Sequence, residues 1–280
     1  MIRKFLLAAA VTGIFCTANA QQLKTPAPSP TQTIKQDFGL STLEVSYSRP
    51  GVKERKVFGD LVPFDKVWRT GANNATTITF GEDVMIGDTK IKAGKYGLLT
   101  IPGQKEWTVI ISKSTSTTSP GDYKKEEDVA RVNVKAMTMK DKMETFTMQF
   151  ANVKPNTCEL QMMWENTAVA LPISMDVESA VMKQIDQLMN KDNRPYFAAA
   201  MYYMENGKDM KQALTWFDKA VEINPTYFWI HHQRANCLAK LGKKEEARAA
   251  AEKSKSLAAN WDPPNDDYVR LNEKLLAELK

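Results

Sequence analysis

Five cations dominate one short region of this sequence. Arg49, Lys53, Arg55 and Lys56 surround a Pro50-Gly51 turn, and Arg69 follows Trp68. A guanidinium is a planar fork of donors that fits carboxylate, phosphate or sulfate, and beside an aromatic ring it also stacks. The densest stretch is Val67-Trp68-Arg69-Thr70-Gly71-Ala72-Asn73-Asn74-Ala75-Thr76. Arg49, Arg55 and Arg69 are therefore the candidate ligand-binding cations, with Asn73 and Tyr96 as orienting groups. The competing use of the same residues is structural: Arg49 and Arg69 could pair with Asp60, Asp65 or backbone carbonyls to pin long loops.

The residues that are missing narrow the chemistry. The only histidines are the adjacent His231 and His232, which removes the commonest general base from the first half of the chain. Neighbours on a helix point about 100° apart, so this pair does not chelate one ion easily; helix-surface or groove positions are expected for both. Gly51, Gly59 and Gly71 are spaced as turns, not as a phosphate-cradling loop. Glu82-Asp83 and Glu126-Glu127-Asp128 read as solvated turns or strand edges. No catalytic residue, metal site or cofactor is predicted, and the balance leans away from an enzyme.

The elements that position these residues fall into two halves. From residue 34 to 175 the hydrophobic period is two: Leu43, Val45 and Tyr47; Ile78 and Phe80; Val132 and Val134; Phe146, Met148 and Phe150; Cys158, Leu160, Met162 and Trp164; Val169, Leu171, Ile173 and Met175. Alternation of this kind marks half-buried strands. Turn signals at Gly87-Asp88, Pro102-Gly103, Pro120-Gly121 and Glu165-Asn166 separate the segments. The expectation is an α+β chain whose N-terminal half is an antiparallel β-sandwich, with a closed barrel as the alternative.

After Met175 the period becomes helical, through Val177, Val181, Ile185 and Leu188, with Asp176 as N-cap. Residues 176–280 then carry two units offset by 34 residues, about 194–227 and 228–261. Ala213, Phe217, Ala220 and Pro225 of the first resemble the tetratricopeptide repeat. The second keeps Ala235 and Ala247. Asp266 to Leu279 fits a final capping helix.

Residues 1–20 read as a secretory signal: Arg3 and Lys4, an apolar run from Phe5 to Thr17, then Ala18-Asn19-Ala20 as the cleavage pattern. The apolar run is shorter than the ~20 residues that span a bilayer. No transmembrane segment is expected in the mature chain, whose location would be periplasmic or secreted. Residues 21–33, with Pro26, Pro28 and Pro30, read as an extended leader. Without Arg3 and Lys4 the formal charge falls from +5 to +3, too weak a bias to argue for nucleic acid. Cleavage leaves Cys158 and Cys237, expected as free buried thiols.

Tyr47-Ser48-Arg49-Pro50, Arg55, Phe58-Gly59, Val67 to Thr76, Ala93-Gly94-Lys95-Tyr96, Thr100-Ile101-Pro102 and Glu106-Trp107-Thr108 resemble the domain of unknown function 2911 (DUF2911) family. Tyr123, Asp128 and Arg131 fit its later motif. Asn74 departs from it, since an acidic residue is common there, and the aromatic usual near Ser119 is absent. The resemblance implies an exported bacterial β-rich domain, often joined to tetratricopeptide-like helices, and it implies no activity. The expected function is a non-enzymatic binding or assembly protein that takes a protein or peptide partner in the helical-repeat groove. The second expectation is an envelope enzyme or binder whose anionic or carbohydrate ligand is held by the Arg/Asn cluster.

Overall fold

A computed structural model describes residues 25–280. The expected signal peptide, residues 1–20 with Cys16, lies outside the described residues, as do residues 21–24 of the expected leader. The chain divides into two compact units, Met1–Met175 and Asp176–Lys280.

The first unit contains ten strands: β1 (Thr31–Phe38), β2 (Ser41–Ser48), β3 (Thr77–Phe80), β4 (Val84–Ile86), β5 (Thr89–Ile91), β6 (Gly94–Pro102), β7 (Glu106–Ser112), β8 (Asp128–Lys135), β9 (Met137–Ala151) and β10 (Thr157–Ser174). They form a six-stranded sheet, β1-β2-β3-β6-β7-β8, and a four-stranded sheet, β5-β4-β10-β9. All the strand pairings are antiparallel. Two sheets meeting through their apolar faces make this a sandwich.

The period-two residues supply that core. Leu43, Val45 and Tyr47 of β2 are buried, and so are Cys158, Leu160, Met162 and Trp164 of β10. Tyr47 meets Phe146 of β9 edge to face at 5.7 Å. Its hydroxyl donates to Gln32 Oε1 at 2.8 Å and accepts from the Met148 amide at 2.7 Å. The phenol thus ties one sheet to the other across the core, and burial pushes its pKa up. Within β6, Gly97 lies so close to the next segment that a Cβ would overlap the Ser114 carbonyl oxygen.

Two boundaries differ from the sequence expectation. β1 begins at Thr31, so the end of the proline-rich leader is already strand. Glu165-Asn166 is not a turn: β10 runs through it as one strand of 18 residues. Glu165 adopts a φ of 54°, and the register against β9 shifts on either side of it. A left-handed residue opposite a continuous partner strand produces a bulge, not a reversal.

The second unit is six helices: α1 (Val177–Met189), α2 (Tyr196–Glu205), α3 (Met210–Ile223), α4 (Phe228–Lys240), α5 (Lys244–Ala259) and α6 (Asp266–Glu278). The Asp176 carboxylate accepts from the Ser179 amide, and Asp209 accepts from Lys211 and Gln212, satisfying amides that the first helical turn leaves unpaired. Each helix from α2 to α6 packs on the next, and α4 also touches both α2 and α6. Ala213, Ala235, Ala247 and Ala251 have no exposed surface, which lets the helices approach closely, Ala213 beside Phe217 and the other three around Leu238.

The histidines also depart from expectation, since both are buried. His231 Nε2 donates to the Pro225 carbonyl at 2.8 Å, which fixes its tautomer because a carbonyl only accepts. His232 Nδ1 lies 2.8 Å from Asn272 Oδ1. Asn272 Nδ2 donates in turn to Ser254 Oγ, whose hydroxyl donates to the Phe228 carbonyl. A buried polar chain therefore joins α4, α5 and α6.

Candidate functional site

The arginine-rich connection begins where the chain leaves one sheet for the other. Beyond β2, the Pro50 carbonyl accepts from the Phe146 amide and the Val52 amide donates to the Glu144 carbonyl. Residues 50–52 thus pair with β9 of the small sheet. Arg49 is the pivot of this crossing. Its Nε donates to the Phe146 carbonyl at 3.3 Å and its Nη2 to Thr147 Oγ1 at 2.9 Å.

The chain returns to the large sheet through Trp68, whose amide and carbonyl both pair with Thr100 of β6. The indole Nε1 donates to the Gly71 carbonyl at 3.1 Å. The Thr70 hydroxyl bonds to the Trp68 carbonyl and meets Thr100 Oγ1, while Thr76 Oγ1 donates to the Thr70 carbonyl. Gly71 is needed because a Cβ there would press on the Ser48 carbonyl and the Thr76 hydroxyl, each 3.0 Å away. The ring of Trp68 stacks on Trp164, with centroids 5.7 Å apart, and Phe58, Trp107 and Phe146 surround the pair.

Over this aromatic group lies a cleft of about 310 Å³. Arg55, Lys66 and Arg69 line it together with Leu61, Pro63 and Trp68; among the described residues no Asp or Glu does. Arg55 donates to the carbonyls of Gly51 and Val52, and Arg69 to that of Asn73. Among the described residues none of the three cations forms an ion pair.

The five residues singled out from sequence separate accordingly. Arg55 and Arg69 face one cleft. Asn73 braces it from behind, taking Arg69 on its carbonyl and donating to the Ser29 carbonyl at 3.1 Å. Arg49 is committed to β9. Tyr96 sits apart, its hydroxyl on the Lys92 carbonyl and its ring 5.9 Å from Phe80. Among the described residues neither Asp60 nor Asp65 holds an arginine, but Arg49 and Arg69 do bond backbone carbonyls, those of Phe146 and Asn73, as the loop-pinning alternative expected. Sequence reasoning passed over Lys66 and Leu61, although Lys66 directly precedes the dense stretch; Pro120, distant in sequence, read only as part of a turn.

Known families match both units of the chain. A model described as "Protein of unknown function (DUF2911)" matches residues 29–173, from the cleft-lining Ser29 to the end of β10. The chain belongs to the DUF2911 family. Two tetratricopeptide repeat models match residues 194–227 and 216–249. No curated protein matches the chain. In the DUF2911 unit the match covers both walls of the cleft. The tetratricopeptide matches fall on α2 to α5, and such repeats suggest protein–protein interaction.

The later DUF2911 residues form a separate cluster. Tyr123 donates to Asp128 Oδ2 at 2.7 Å, and Arg131 Nη1 reaches the same oxygen at 3.2 Å. Burial, with the Asp128 carboxylate second, pushes the Tyr123 phenol up to about 12. Asp128 opens β8, the edge strand of the large sheet, as the strand-edge reading expected, but its side chain is largely covered, and its Oδ1 has no hydrogen-bond partner among the described residues. Asp83 does lie on the surface, where Lys92 and then the Ala93 amide hold its carboxyl down at about 2. Among the described residues no group of His, Cys, Asp and Glu could hold a metal, and no helix is long and apolar enough to cross a membrane.

Proposed function

We propose that this chain is an exported binding or assembly protein without catalytic activity, and that its helical unit engages a protein or peptide partner. The observation that carries the reading is the pair of tetratricopeptide matches on helices stacked in two layers, with α2, α4 and α6 in contact on one side. Stacked helical repeats build extended surfaces that hold peptides or helices. Gln233 and Asn236 are half-exposed polar positions on α4, a helix of that layer. Export rests on the charged, apolar and small-residue segments of the first twenty residues.

A photo-crosslinking residue at Gln233 or Asn236 should capture one defined partner in intact cells, while the same residue at the exposed Ala249 of α5 should not. Equal capture from both helices, or none from α4, overturns the partner reading. Cell fractionation with N-terminal sequencing tests export separately: a periplasmic or secreted chain starting at Gln21 supports it, and an intact cytoplasmic chain refutes it.

A further inference from the structure

We propose that the cleft of the β unit binds a small organic anion: a carboxylate, phosphate or sulfate group carried on an apolar body. The inference is independent of the helical unit and its partner. It starts from how the arginines are held. A guanidinium pinned by a carboxylate is oriented and neutralised together. Arg55 and Arg69 are instead pinned by backbone carbonyls, two for Arg55 and one for Arg69, so each is oriented while keeping its full charge. Of the five N–H groups on a guanidinium, these bonds leave most free for a ligand. The Lys66 ammonium, exposed at the same cleft, makes no hydrogen bond or ion pair among the described residues. Three uncompensated cations in a concave site with low-dielectric walls concentrate a positive field there.

The rest of the lining defines the remainder of the ligand. Leu61 is 42% exposed and, with Pro63 and Trp68, gives the cleft an apolar wall beside its cations. A volume of about 310 Å³ lies at the small end of ligand clefts, which run roughly 300–1,000 Å³. That suits one ring or a short chain with a single charged head.

The cleft is also built in advance. Of the eight non-glycine residues with positive φ, Lys53, Glu54, Asp65, Thr70 and Asn73 all lie in the segment that forms it. Such conformations persist only where the surroundings enforce them. Here the enforcing contacts are the Trp68–Thr100 pairing and the Thr70 and Thr76 hydroxyls. A rigid site loses little to ordering when it binds.

The test is isothermal titration of the full chain at low salt with 1-naphthyl phosphate and 1-naphthoate, against 1-naphthol and inorganic phosphate. One naphthyl anion or both should bind one to one, with an affinity that falls as sodium chloride is added; the tighter of the two identifies the head group. Naphthol and inorganic phosphate, each lacking half of the recognised chemistry, should bind at least about tenfold more weakly. Lys66→Gln and Arg69→Gln should each weaken anion binding about tenfold. Leu61→Glu, at an exposed position, should abolish it while the thermal melt stays unchanged. Lys140→Gln, outside the cleft, should have no effect. The proposal is overturned if neither anion gives saturable heat at millimolar concentration. It is equally overturned if naphthol binds as well as the anions, or if Lys66→Gln and Leu61→Glu bind like the unaltered chain.

Discussion

Trp68 and Trp164 stack with ring centroids 5.7 Å apart and planes within 16° of parallel, one on the arginine-bearing loop and the other on β10. Both are buried, and Trp164 Nε1 donates to the Glu144 carbonyl. Either Trp→Ala change should lower the unfolding free energy of the β unit by about 3–5 kcal/mol. Because the rings touch, the double variant should deviate from additivity by about 0.5–1.5 kcal/mol. Denaturant titration followed by tryptophan fluorescence and far-UV circular dichroism measures the cycle. A coupling near zero would show that the stacking adds nothing beyond separate burial.

Asn272 completes the polar chain from His232 to the Phe228 carbonyl. Asn272→Ala leaves His232 Nδ1 without its acceptor and Ser254 Oγ without a donor. The helical unit should lose about 1–3 kcal/mol, read as a lower melting temperature by far-UV circular dichroism. Tyr268, whose carbonyl also accepts from Asn272, should become more exposed to solvent quenchers.

His231 gives the helical unit a pH dependence. Burial lowers its pKa below the ordinary 6.5. Near pH 7.5 the ring is neutral whether the chain is folded or not. As pH falls through 6.5 the unfolded ring takes a proton that the folded ring still refuses, so the unfolded state binds more protons and stability drops. Stability is therefore fully present above 6.5 and lost as pH falls through the lower folded value. Thermal melts between pH 7.5 and 5 should show this slope. His231→Gln, which can still donate to the Pro225 carbonyl, should flatten it.

Cys158 and Cys237 are buried and free, and burial pushes both thiols up to about 11. At pH 8 almost none of either is thiolate, the reactive form. A chain starting at Gln21 should take up no alkylating reagent while folded and two equivalents after denaturation, counted by intact mass. A third equivalent would report that Cys16 had been retained.

Gly97 of β6 faces the Ser114 carbonyl with no room for a side chain. Gly97→Ala must displace backbone, at a cost of about 1–3 kcal/mol. Denaturant titration should show the β transition shifted and the helical transition unmoved.

The β-sandwich and the helical repeats were legible because burial imprints a period: Leu43, Val45 and Tyr47 must share one face, as must Ala213, Phe217 and Ala220. The bulge at Glu165 was not legible. The same polar dipeptide serves a turn or a bulge, and only the partner strand β9 decides which. The covered polar contacts of His232 and Asp128 were not legible, because their partners, Asn272 and Tyr123, are specified by packing and not by adjacency. Of the candidate site, Arg55 and Arg69 were named from their clustering around the Pro50-Gly51 turn and beside Trp68. Backbone carbonyls were foreseen as partners for Arg69, but which carbonyls accept was not legible, since every residue carries one and only the turn geometry brings one into reach. Arg49 looked equivalent to them until the chain's crossing to β9 gave its donors a fixed destination.

The place of β10 in the small sheet bears on the order of assembly. It is the last strand made, yet it lies between β4 and β9, and its final residues pair with Met85 far upstream. The β4–β5 hairpin therefore has no neighbour on its inner side until Ser174 has been synthesised. The closing step joins the beginning and the end of the segment at once, a long-range pairing of the kind that folds slowly. A chain halted before that residue holds an open sheet edge. The β unit is consequently complete only when the first residues of α1 are about to follow, and a truncation that removes the last turn of strand should leave an aggregating product, not a smaller domain.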